Sequence, residues 1–128
     1  MSYFFTKTLS TTFEEAIEKT RDELKKEGFG VLTEIDVTDT LKEKLGVDFQ
    51  NYRILGACNP PFAYKALLTE NKIGTMLPCN VIVQEQADGS IEVSAVDPAE
   101  SMKAIDNPEL AAIAEEVRQK LQTVVNSL

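Results

Sequence analysis

The stretch TMLPCNVIVQEQADGSIEVSAV, residues 75–96, holds two extended runs around a turn. The first run is Thr75 to Gln86 and the turn is Ala87-Asp88-Gly89-Ser90. An Asp-Gly pair accepts the positive φ angles of a type I′ hairpin. In the second run, Ile91, Val93 and Ala95 alternate with Glu92, Ser94 and Val96, the pattern of a half-buried strand. A hairpin joins antiparallel neighbours, so the sheet is predicted to be largely antiparallel. Pro78 cannot donate to a ladder, so the residues before it are expected to be an edge, a bulge or a separate extended piece. Two-residue periodicity puts Leu77, Cys79, Val81 and Val83 on one face.

On the N-terminal side, residues 3–9 are aromatic and threonine-rich and read as a strand. Phe13, Ala16, Ile17, Thr20 and Leu24 then lie along one helical stripe. Thr12 with Glu15 fits a capping box at its start, and Gly28 suits a left-handed cap at its end. Val31, Thr33, Ile35 and Val37 alternate as a second strand. Thr38-Asp39-Thr40 offers N-caps for a short helix over 40–46, ended by Gly46. A third strand runs from Tyr52 to Cys58, and Asn59-Pro60-Pro61 starts a helix with Asn59 as N-cap. Phe62, Ala63, Ala66 and Leu67 form that helix's apolar face. Beyond the hairpin, Asp97-Pro98 ends the last strand and Asp97 to Glu109 reads as loop. Asn107-Pro108 caps a final helix whose stripe is Leu110, Ile113, Ala114, Val117, Leu121 and Val124. The order is β-α-β-(short α)-β-α-β-β-α. One α+β domain over 1–128 is predicted, with long amphipathic helices on one face of the sheet.

The 128 residues suffice for one core, and 43% are hydrophobic. The net charge of −8 repels phosphate backbones and anionic lipid heads, so no nucleic-acid partner is expected. No apolar run approaches the roughly 20 residues that span a bilayer. Residues 1–7 lack a charged n-region followed by a long apolar run, so no signal peptide and a cytoplasmic location are expected. Histidine is absent, which excludes Ser-His-Asp and Cys-His catalysis within one chain. Two cysteines without histidine fall short of the four ligands of a structural zinc site, so no metal and no cofactor is expected.

Both cysteines sit in a repeated phrase, Ala57-Cys58-Asn59-Pro60-Pro61 and Leu77-Pro78-Cys79-Asn80-Val81. Cys58 precedes a helix start, where the dipole would favour a thiolate; its bland reading is a small apolar residue at a strand end. Cys79 keeps apolar company and reads as a core residue, or as the partner of Cys58 in a redox dithiol. Asn59 and Asn80 are structural amides that bond to backbone, or a pair that holds a polar ligand group. The two phrases are expected to meet, with Cys58, Asn59, Phe62, Cys79 and Asn80 lining the mouth of a pocket. Tyr64 and Lys65 point about 100° apart on a helix, so Lys65 is expected to be solvated.

The run Gly56 to Leu67, followed by Gly74 to Val81, Gly89 and Val96-Asp97-Pro98, resembles DUF302, a bacterial and archaeal family of domains of unknown function. The resemblance covers essentially the whole chain. It implies a β-α-β(4)-α fold of TATA-binding-protein-like type and a homodimer, with no established activity. The best functional reading is a non-enzymatic homodimeric module that binds a small ligand near the Cys-Asn phrases. The alternative is a thiol-dependent redox or sulfur-transfer protein using Cys58 and Cys79.

Overall fold

In the computed structural model, which describes residues 2–128, the hairpin strands β4 (Cys79–Glu85) and β5 (Ile91–Val96) lie at the middle of a five-stranded sheet. Met1, where the signal-peptide reading begins, lies outside the described residues. The other strands are β1 (Phe4–Leu9), β2 (Gly30–Asp36) and β3 (Tyr52–Cys58). Their order is β1-β5-β4-β3-β2, and every pairing is antiparallel. The helices are α1 (Phe13–Lys26), α2 (Val37–Leu45), α3 (Pro60–Thr69), α4 (Pro98–Ser101) and α5 (Pro108–Asn126). The fold is α+β.

Alternation along the strands divides the sheet into two faces. Leu55, Ala57, Cys79, Val81, Val83, Ile91, Val93 and Ala95 are buried against α1 and α5. The apolar stripes of those helices, Phe13 to Leu24 and Val117 to Val125, complete this core. A smaller cluster joins Ala66, Ile73, Met102, Leu110 and Ala114 beneath α3. The opposite face carries Asn80, Ile82, Gln84, Glu92, Ser94 and Tyr52, and a shallow groove lies across it.

Four local expectations are corrected. Asp36, not the Thr38-Asp39-Thr40 run, caps α2, and its Oδ1 accepts from Asp39 N at 2.9 Å; the helix therefore begins directly at the end of β2. The hairpin is not type I′, because Gly89 at φ +86° is the loop's one positive-φ residue. Gly89 N donates to Gln86 O and Gln86 N to Ser90 O, which closes a three-residue loop. Pro78 lies outside the ladder, between a short 3-10 helix (Ile73–Met76) and the first residue of β4. It therefore blunts no sheet edge, since β4 is the central strand. Part of the stretch read as loop after Asp97 is helix α4: Asp97 Oδ1 accepts from Ala99 N and Glu100 N, as an N-cap does.

Candidate functional site

The register of β3 on β4 brings the two Cys-Asn phrases together, since Ala57 pairs with Cys79 and Gly56 with Asn80. Gly56 makes this approach feasible. A Cβ there would collide with Thr33 Oγ1 and stand 2.9 Å from Pro78 Cγ. Where β3 ends and α3 begins, the sheet, α3 and α5 enclose a cavity of about 300 Å³. Its floor is Ala57, Cys58, Pro78 and Cys79, one wall is Phe62, Ala63, Ala66 and Leu67, and the facing wall is Leu110, Ile113, Ala114 and Val117. Phe29, Leu32, Leu77, Pro98 and Met102 close the remainder. Asn59 is the one polar side chain besides the two thiols.

Each expected site residue has a definite place. Cys58, at the end of β3, is half-buried, and Cys79, at the start of β4, is buried; both are free thiols on the same cavity. Burial, and then the neighbouring Cys58, push the Cys79 thiol up to about 11. Cys79 is therefore protonated at neutral pH and a poor nucleophile. Asn59 occupies the N-cap position of α3 but makes no capping bond. Its Nδ2 donates instead to Glu27 O at 3.1 Å, the carbonyl at the end of α1. Gly28, at φ +87°, follows that carbonyl, and a Cβ on it would stand 3.1 Å from the same Nδ2. Asn59 thus ties the β3–α3 junction to the end of α1.

Phe62 lines the cavity, and the ammonium groups of Lys65 and Lys120 stand 5.6 and 5.9 Å from its ring centre. Asn80 is not in the cavity. It follows Cys79 within a strand, so its side chain points to the other face, where it is exposed beside Tyr3, Phe4, Tyr52 and Ile82. Asn59 escapes that alternation because the strand ends before it.

Sequence reasoning missed the C-terminal half of the lining. Leu110, Ile113, Ala114 and Val117 were legible as a helical stripe but not as a cavity wall. Met102 lay in supposed loop. It is placed there by buried Asp97, which caps α4 and accepts from Arg118 Nε at 3.1 Å, tying the loop to α5. The available signal was Asp97-Pro98 itself, an N-cap followed by a first-turn proline.

The comparisons agree with this architecture. The family model described as domain of unknown function DUF302 matches residues 5–128. The chain belongs to the DUF302 family. A similar solved structure is the crystal structure of an uncharacterized conserved DUF302 protein from Bacillus stearothermophilus. It is 32% identical, covers 98% of each chain and superposes with a TM-score of 0.92. No curated protein matches the chain. No helix among the described residues is long and apolar enough to cross a membrane.

Proposed function

We propose that this DUF302 protein is a non-enzymatic homodimeric module that holds a small apolar ligand between α3, α5 and the Cys-Asn junction. The observation that carries the reading is the cavity, about 300 Å³ and lined almost wholly by carbon and sulfur. Small-molecule sites have this form: a concave apolar volume with a few polar groups. Cys58, Asn59, Phe62 and Cys79 contribute to it, and Asn80 leaves the ligand set for the open face. Ala63 lines the cavity and is only half-buried, so a larger side chain there fills the space without reaching the main core. Ala63→Trp is expected to abolish binding of an apolar fluorescent probe while the unfolding midpoint stays near wild type. Undiminished probe binding by a folded Ala63→Trp protein would refute the cavity as the site.

The dimer has separate support. β1 and β2 are the sheet edges. The one charged residue of β1, Lys7, turns inward, and its Nζ donates to Leu128 O at 2.6 Å and Asn126 O at 3.1 Å at the end of α5. That leaves the β1 edge without the charge that discourages pairing. At the other edge Leu32, Ile35, Leu45, Val47 and Phe49 are all exposed.

A thiol-based reading is favoured by one observation, that both free cysteines border one cavity. The rate of thiol alkylation against pH separates the two readings. A binding module labels sluggishly at neutral pH, whereas a thiol enzyme labels fast.

A further inference from the structure

We propose that the ligand is a single-chain amphiphile with a carboxylate head, its chain in the cavity and its head at Lys65 and Lys120. This rests on the apolar-ligand reading above and adds the chemistry of the head. Phe62 is the shared wall between the apolar cavity and a charged depression on the surface, lined by Glu27, Glu116, Gln119, Lys120 and Thr123. A chain leaving the cavity past Phe62 meets the two ammonium groups that stand over its ring. Each ammonium group has the ring as its neighbour, and an anion beside the ring gains Coulomb energy from both.

Neither lysine has a carboxylate within ion-pair distance among the described residues, although the chain carries 21 acidic residues against 13 basic ones. Glu116 and Lys120 have the i,i+4 spacing that suits a helical ion pair. Lys120 nonetheless lies over Phe62 and forms no ion pair with Glu116. Glu27 and Glu116 line the same depression and repel an anionic head, which confines it to the ring of Phe62, where the lysines stand. The volume sets the tail. About 300 Å³ lies at the lower end of small-ligand pockets, room for one short alkyl chain and too little for the two chains of a diacyl lipid.

Isothermal titration at low salt with decanoate, decan-1-ol and decyltrimethylammonium tests the inference. Decanoate is expected to bind about fivefold tighter than decanol, and the ammonium compound more weakly than either. The double variant K65Q/K120Q is expected to bring decanoate to the level of decanol and leave decanol binding unchanged. A63W is expected to remove binding of all three. Equal binding of decanoate and decanol by wild type, or a decanoate preference that survives K65Q/K120Q, would overturn the head-group assignment while leaving the apolar cavity standing. No binding of any of the three, or decanoate binding that survives A63W, would overturn the cavity reading together with it. Sedimentation with phosphatidylglycerol vesicles is expected to leave the protein in the supernatant; co-sedimentation lost in K65Q/K120Q would assign the lysines to a membrane surface and overturn the proposal.

Discussion

At the scale of the residue, the cavity depends on Gly56 and Cys79. A methyl group at Gly56 collides with Thr33 Oγ1, so Gly56→Ala is expected to cost about 1–3 kcal/mol in denaturant titration. Removing the colliding hydroxyl with Thr33→Ala in the same protein is expected to restore part of that loss, because the two sites share one contact. A loss indifferent to Thr33→Ala would place the strain elsewhere. Cys79 sets a pH dependence. Its thiol is raised from about 9 to about 11 in the folded protein, chiefly by burial. A raised acid contributes stability that is complete below its unfolded pKa and is lost as pH rises through the folded value. The stability difference between wild type and Cys79→Ala is therefore expected to shrink between pH 9 and 11 and to be flat between pH 6 and 8. A flat difference up to pH 11 would mean that the thiol is not desolvated. The core reading of Cys79 was legible because strand alternation is local. The partner of Asn59 was not, since Glu27 O lies 32 residues earlier and only the tertiary fold brings it near.

At the scale of the element, α1, β3 and α5 were readable because each combines a strong period with a clear boundary. Thr12 Oγ1 does accept from Glu15 N at 3.1 Å. The reciprocal half of the box is absent, because the Glu15 carboxylate accepts from Thr11 Oγ1 instead. Asn107 Oδ1 caps α5 through Leu110 N at 3.2 Å, as its sequence predicts. Where reading failed, competing local chemistry decided. Asp88 Oδ1 accepts from both Ser90 N and Ser90 Oγ, and this side-chain turn holds the hairpin loop in a form that keeps Asp88 out of positive φ. The start of α2 shifted because Asp36 is a better-placed cap than the residues after it. The stripe of α5 gives a direct test. Leu121 is fully buried, so Leu121→Ala is expected to destabilise the fold by about 2–5 kcal/mol. A loss under about 0.5 kcal/mol would contradict the packing of α5 on the sheet.

At the scale of the whole molecule, the sheet has helices on one face and open edges, and the net charge is −8. Association through the apolar residues at β1 and β2 works against that charge, so the dimer is expected to tighten as salt screens it. Light scattering across salt concentrations checks this, and a monomer mass at micromolar protein in low and high salt alike would contradict the dimer. The antiparallel sheet and one-sided helices were legible from period and turn alone. The cavity was legible only in its Cys-Asn half, because its other wall comes from α5, which begins at Pro108, well beyond both phrases in the chain. The central claim is that this cavity holds the ligand. A crystal soaked with 10-bromodecan-1-ol locates the bromine by its anomalous signal. The account predicts that peak between α3 and α5, beside Ala66 and Ala114; a peak only in the groove by Tyr52 and Ile82, on the opposite face of the sheet, would contradict it.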